Sequence, residues 1–101
     1  MNATMMQFFH WYSEGNSKLY DHAKDSAEYL KQLGISAVWF PPAYKANGGG
    51  FSVGYDPYDL YDLGEFDQKG TIPTKYGTKE QYVNACKTLQ ENGISVIADI
   101  V

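Results

Sequence analysis

Leu30-Lys-Gln-Leu-Gly-Ile-Ser-Ala-Val-Trp-Phe-Pro41 sets a glycine between a helical pattern and a short apolar run. Leu89-Gln-Glu-Asn-Gly-Ile-Ser-Val-Ile-Ala-Asp-Ile-Val101 does the same near the other end of the chain. A glycine just past a helix permits the left-handed turn that ends it. The runs that follow Ile-Ser are apolar at successive positions rather than alternating, the pattern of a parallel-sheet strand buried on both faces. The two stretches therefore read as two copies of one unit, helix then buried strand.

Working outward, the helices that feed these strands are legible. Leu19, Ala23, Ala27, Leu30 and Leu33 form one apolar stripe, and Ser17 or Asn16 is placed to cap its start. In the second helix Tyr82, Cys86 and Leu89 share a face, with Val83 and Ala85 beside it, and Thr78-Lys-Glu-Gln81 fits a capping box. Thr4 to Trp11, rich in Met, Phe and Trp, reads as a further buried strand. The order is strand, helix, strand, long loop, helix, strand, and right-handed crossovers make the three strands parallel neighbours.

The loop from about Pro41 to Gly77 far exceeds the roughly 2–6 residues usual for such a connection. It leaves the carboxyl end of a strand, where doubly wound sheets and (β/α)8 barrels bind their ligands. The last strand, Ile97-Ala-Asp-Ile-Val101, has no polar tail or covering helix after it. An edge so exposed leads us to expect that residues 1–101 are the opening section of a larger domain.

Composition narrows the partners. The 101 residues are 44% hydrophobic, which suits a folded chain. Eight lysines and no arginine stand against twelve acids, for a net charge of −4. No basic stripe exists to displace phosphate counterions, so nucleic acid is not an expected partner, nor is an anionic membrane surface. No apolar run approaches the ~20 residues needed to span a bilayer, and no secretory signal opens the sequence, so a cytoplasmic location is expected, with a secreted form left open. The single cysteine, Cys86, reads as a small buried hydrophobe.

Four stretches in order resemble the α-amylases: Met5-Met-Gln-Phe-Phe-His-Trp-Tyr12, Ala37-Val-Trp-Phe-Pro-Pro-Ala-Tyr-Lys45, Val53-Gly-Tyr-Asp-Pro-Tyr-Asp-Leu-Tyr-Asp-Leu-Gly-Glu-Phe66 and Thr74-Lys-Tyr-Gly-Thr78. The likeness is greatest to the bacterial liquefying and cytoplasmic types. It implies an α/β fold, the first three strands and two helices of a (β/α)8 barrel with a long loop after strand 2. It implies retaining hydrolysis of internal α-1,4-glucosidic bonds in starch, glycogen or maltooligosaccharides, with an α-glucan as the partner. Tyr55 matches the aromatic that stacks on the glucose ring next to the cleaved bond, and Gln7 a polar residue lining the same pocket. Asp99 matches the Asp of the strand-three motif, which supports the catalytic centre. The Asn and His that complete that motif, the Asn a calcium ligand, would fall beyond residue 101. Calcium is thus expected for the full-length enzyme, with no ligands identified here. The catalytic Asp and Glu, ~5–5.5 Å apart in a retaining glycosidase, belong after strands four and five, so residues 1–101 alone are expected to be inactive. One departure stands out: relatives often carry an acid before Val-Gly-Tyr, where this chain has Ser52. The alternatives are a related α-glucosidase or glucan-transferring enzyme, a non-catalytic carbohydrate-binding homologue, or an unrelated α/β binding module.

Within the long loop a Tyr-Asp pair recurs at Tyr55-Asp56, Tyr58-Asp59 and Tyr61-Asp62. Tyrosine rings suit the apolar faces of sugars while carboxylates accept from hydroxyls. The structural alternative is that Tyr58, Leu60, Tyr61, Leu63 and Phe66 pin the loop onto the barrel, while most of Asp56, Asp59, Asp62, Glu65 and Asp67 cap turns or face water. Acids three apart do not make a helix–loop–helix calcium loop, which wants them two apart and followed by Gly. Gly48-Gly-Gly50 lacks the Lys-Ser/Thr of a phosphate loop and reads as a hinge with no helix opening from it. His10 beside Trp11 reads as a packing residue, Trp39 as core, and His22 as solvated.

Overall fold

The computed structural model of the chain describes residues 3–9 and 17–100. In chain order the elements are β1 (Met5–Gln7), α1 (Leu19–Gln32), β2 (Ala37–Phe40), β3 (Lys45–Ala46), β4 (Pro57–Asp59), α2 (Lys79–Glu91) and β5 (Ser95–Ala98). β1, β2 and β5 form one parallel sheet in that order, with Met5, Ala37 and Ser95 in register at one end and Gln7, Trp39 and Ile97 further along. This is the α/β arrangement expected from the two helix–strand units.

The repeated Gly-Ile-Ser has a physical cause. Gly34 (φ 84°) and Gly93 (φ 74°) both take the left-handed turn. Their amides donate back to Lys31 and Gln90, and the Ile35 and Ile94 amides to Leu30 and Leu89. That double bond pattern is a Schellman motif, and it sets each isoleucine against the leucine one turn back. The serines then align the strand starts: Ser95 N–H donates to the Ser36 carbonyl at 2.9 Å, and Thr4 N–H to Ser36 Oγ at 2.8 Å.

Both helices cover the same side of the sheet. Phe8, Val38 and Phe40 meet Tyr20, Ala23, Ala27, Leu30, Ala85 and Leu89 there, with Tyr82, Cys86 and Val96 at the margin. The strands were expected to be buried on both faces, and this is corrected: Met5, Met6 and Ile97 are 56%, 37% and 42% exposed. In a (β/α)8 barrel the face away from the helices is filled by layers of side chains from other strands.

Two further expectations change. Ser17 does not cap α1; the N-cap is Lys18, with no side-chain cap, and Asn16 lies outside the described residues. Instead Ser17 Oγ donates to the Thr74 carbonyl at 2.9 Å, and Tyr20 N–H finds the Tyr76 carbonyl at 3.2 Å. A distant backbone segment thus satisfies an orphan donor of the first turn. Leu33 falls off the apolar stripe because the helix stops at Gln32, leaving Leu33 exposed as the C-cap. The Thr78 capping box forms as expected, with both reciprocal bonds to Gln81.

The long excursion is not structureless. β3 and β4 pair antiparallel, a 3-10 turn spans Gly49–Phe51, and isolated bridges join Gln68 to Thr71 and Thr74 to Gly77. A turn of helix does open at the glycine run. Gly49 (φ 63°) is buried, and a Cβ there would lie 2.7 Å from the Lys69 carbonyl oxygen.

Candidate substrate site

Two polar side chains hold the excursion in shape. Lys45, fully buried, sends Nζ to the carbonyls of Phe66, Thr71 and Ile72 at 3.0, 2.6 and 2.7 Å. The same Nζ sits 3.5 Å from Asp62 Oδ2. Asp62 is equally buried, and its Oδ1 accepts the amides of Gly64, Glu65 and Phe66 while Oδ2 accepts from Gln68. Burial opposes ionisation of Asp62, but these bonds outweigh it and hold the carboxyl below its ordinary value. Of the remaining acids, Asp59 accepts from the Tyr61 amide and Asp56 from that of Gly48, while Glu65 faces Lys79 and Asp67 is exposed.

Of the residues thought to pin the loop, only Leu63 is even half-buried. Tyr61 is 89% exposed, and Tyr58, Leu60 and Phe66 are more than half exposed. Tyr58 lies under Lys69 Nζ, 4.4 Å from the ring centroid. The packing is done by Tyr44, Val53 and Tyr76, all buried.

That frame delivers Tyr55 to the tips of the sheet strands. Gly54 (φ 107°) lies against Pro42, where a Cβ would come within 3.1 Å of the carbonyl oxygen. The Tyr76 hydroxyl donates to the Val53 carbonyl at 2.8 Å. Tyr55 then reaches across to donate its hydroxyl to Asp99 Oδ2 at 2.5 Å. Asp99 follows the last residue of β5, and the same oxygen accepts from Trp39 Nε1 at 3.3 Å. Burial, the Asp99 hydrogen bond and the Asp99 charge push the Tyr55 phenol up to about 12. Trp39 is therefore half-buried and polar in its role, not simply core.

Gln7, at the end of β1, is in register with Trp39 and donates from its amide to the Phe9 carbonyl at 2.8 Å. The Phe9 ring meets Trp39 edge-on, 5.5 Å between centroids. The structure thus brings Tyr55, Asp99 and Trp39 into one cluster, with Gln7 one strand away. His10 and Trp11 lie outside the described residues. His22 is exposed with its ring 5.5 Å from Phe8, and Cys86 is half-buried with burial raising its thiol pKa.

Beside Tyr55, where the family resemblance led us to expect an acid in place of Ser52, a carboxylate is present all the same. Ser52 Oγ donates to Asp56 Oδ1 and accepts from Gly54 N–H at 3.1 Å. An open hollow of about 470 Å³ is lined here by Gly48, Phe51, Ser52, Val53, Tyr55 and Asp56. Among the described residues no three His, Cys, Asp or Glu side chains gather to hold a metal ion.

A three-stranded parallel sheet flanked by two helices, with a polar aromatic cluster at its carboxyl tips, is the layout of a barrel enzyme's active face. The family model for the α-amylase catalytic domain matches residues 23–101, and the chain belongs to that family. It is 53% identical over 100 residues to the cytoplasmic α-amylase of Escherichia coli K12, covering 99% of this chain and 20% of that protein. It is 50% identical to an α-amylase of Geobacillus stearothermophilus, covering 99% of this chain and 18% of that one. Among solved structures, truncated alternansucrase from Leuconostoc mesenteroides superposes with a TM-score of 0.76 at 31% identity, covering 96% of this chain and 10% of that one. The chain thus spans about a fifth of the length of the curated relatives it matches.

Proposed function

We propose that residues 1–101 open the catalytic (β/α)8 barrel of an α-amylase that cleaves internal α-1,4-glucosidic bonds of starch, glycogen and maltooligosaccharides with retention. The observation that carries this reading is the Tyr55–Asp99 hydrogen bond, which ties the aromatic excursion to the tip of the third parallel strand. In this role Tyr55 offers a ring face to the glucose unit next to the cleaved bond. Asp99 keeps a carboxylate beneath the reaction centre, and Trp39 and Tyr55 fix its orientation from two directions. Gln7 contributes to the wall of the same pocket. None of these is the nucleophile or the acid/base, which we assign to residues beyond 101.

The names of the relatives support a glucan substrate, and that of the Escherichia coli relative supports a cytoplasmic location. No helix among the described residues is long and apolar enough to cross a membrane. The calcium we propose for the whole enzyme finds no ligand cluster among the described residues. A purified full-length protein should release short oligosaccharides from the interior of starch, with the α-anomer appearing first by NMR. Products of inverted configuration, products of glucan transfer alone, or no turnover would each refute the proposal.

A further inference from the structure

We propose that Asn47-Gly48 is a site of spontaneous covalent modification, at which Asn47 closes onto the Gly48 amide and ends as aspartate or isoaspartate, with Asp56 as the base. The sequence holds two Asn-Gly pairs, Asn47-Gly48 and Asn92-Gly93. Glycine after asparagine removes the Cβ that would shield the main-chain nitrogen from the side chain, so the sequence alone ranks the two pairs equally. The fold separates them.

At the first pair both reacting groups are open. Asn47 and Gly48 are exposed, and the Asn47 side chain has no hydrogen-bond partner among the described residues. The Gly48 N–H donates to Asp56 Oδ2 at 3.0 Å. A base must lie within hydrogen-bond reach of the proton it takes, and this distance meets that need. The Ser52 hydroxyl holds Asp56 Oδ1, and the Asn47 N–H donates to the Asp56 carbonyl at 2.7 Å, so the carboxylate is held on its target. At the second pair the end of α2 ties up both groups. Asn92 Nδ2 donates to the Thr88 carbonyl at 2.9 Å, and the Gly93 N–H to the Gln90 carbonyl at 3.0 Å. A carbonyl in that position accepts a hydrogen bond but does not take the proton.

The reaction balances with water as its co-reactant. The Gly48 nitrogen bonds to Asn47 Cγ as its proton passes to Asp56 Oδ2, and the Cγ–Nδ2 bond breaks to release ammonia. Water then opens the cyclic imide. Addition at Cγ restores the main chain with aspartate at position 47. Addition at the former main-chain carbonyl leaves isoaspartate, with one more atom in the backbone. Nothing is oxidised or reduced. Either product sets a new negative charge near Asp56, and the isoaspartyl form lengthens the chain between β3 and the Gly49–Phe51 turn. The Asn47 and Gly48 amides that hold Asp56 are the ones displaced, so the change acts on the residue next to Tyr55.

The test holds the full-length protein, folded, in mildly alkaline buffer and follows both pairs by peptide mapping and mass spectrometry that separates aspartyl from isoaspartyl peptides. Asn47 should convert at least about tenfold faster than Asn92, equivalent to ~1.4 kcal/mol in barrier height. In urea-unfolded protein the two should convert at similar rates, because only the fold distinguishes them. Asp56→Asn should slow conversion at Asn47 by about tenfold or more. Asn92 should keep its wild-type rate in that variant, which reports that α2 is folded. The new asparagine precedes Pro57, which has no N–H, so it adds no competing site. Equal rates at the two pairs in the folded wild type, or a faster Asn92, overturn the proposal whatever the variant does. So does a folded Asp56→Asn protein whose Asn47 reacts as fast as the wild type or faster, since the carboxylate would then restrain the amide instead of activating it.

Discussion

Lys45 Nζ faces the Asp62 carboxylate at 3.5 Å with neither side chain exposed, and each also holds backbone groups of the excursion. Together they close the loop that carries Tyr55. Replacing Lys45 by Met would leave the buried Asp62 charge without its cation and the Phe66, Thr71 and Ile72 carbonyls without a donor. Removing one partner of a buried pair costs roughly 3–5 kcal/mol. In the full-length protein, hydrogen exchange at the amides of Gly64, Glu65 and Phe66 should accelerate sharply. Unchanged protection would show that the ladder between β3 and β4 holds the excursion by itself.

Asp62 also sets a pH dependence. Its folded pKa lies below the ordinary 3.8, since the four bonds to the carboxylate outweigh the effect of burial. The stability it contributes is therefore complete above the ordinary value and is lost as pH falls below 3.8 through the folded pKa. Thermal unfolding of the wild type should steepen in that acid range, and Asp62→Asn should show a shallower fall across it. Parallel curves would assign the acid sensitivity to other groups.

The parts of the fold written in local pattern were legible, and the parts made by distant contacts were not. Gly34-Ile-Ser and Gly93-Ile-Ser announce their turns because the conformational need is met by adjacent residues. Thr78 and Gln81 announce a cap for the same reason. Lys45 gives no such signal: a lysine between Tyr44 and Ala46 reads as a solvated loop residue, and its acceptors lie 21 to 27 positions away. The apolar company of Ala43, Tyr44 and Ala46 was the available hint. Tyr61 and Phe66 misled for the converse reason, since an aromatic in a loop carries no periodicity to say which way it faces. At the site, Tyr55 and Asp99 were identified through the family resemblance, while their direct bond and the Ser52–Asp56 pair depend on how the excursion folds back.

The junction between the excursion and α2 is intolerant of bulk. Gly77 (φ 144°) has Gln81 Oε1 and Tyr20 Cδ2 at 2.7 and 2.8 Å from any added Cβ. That Gln81 oxygen accepts the Thr78 amide at 2.7 Å, and the Gln81 amide nitrogen donates to Asp21 on α1 at 2.7 Å. Thr78→Ala should cost ~1 kcal/mol, the usual value of a cap. Gly77→Ala should cost more, since it displaces the cap, the inter-helix bond and a core ring together, with overpacking alone worth roughly 1–3 kcal/mol. Urea midpoints of the two variants decide it; equal losses would mean the ring and amide yield freely.

Tyr55 separates ring from hydroxyl. Its phenol, raised from 10.0 to about 12 first by burial and then by Asp99, stays neutral in the folded state while the unfolded chain ionises. The stability this gives is complete below pH 10 and is lost as pH rises towards 12. In Tyr55→Phe the ring remains and the donor is gone, so one late-titrating phenol should vanish from the ultraviolet titration and Asp99 should keep only Trp39 as its side-chain donor of the two. Tyr55→Ala removes the stacking face as well. If the ring contacts the glucan, kcat/KM on maltoheptaose should fall at least about tenfold further than in Tyr55→Phe, equivalent to ~1.4 kcal/mol of lost transition-state binding. Because the side chain is 36% exposed and makes no part of the helix-covered core, the melting temperatures of the two variants should stay close. Equal activity in Phe and Ala variants would confine Tyr55 to anchoring Asp99 and remove it from the sugar's path.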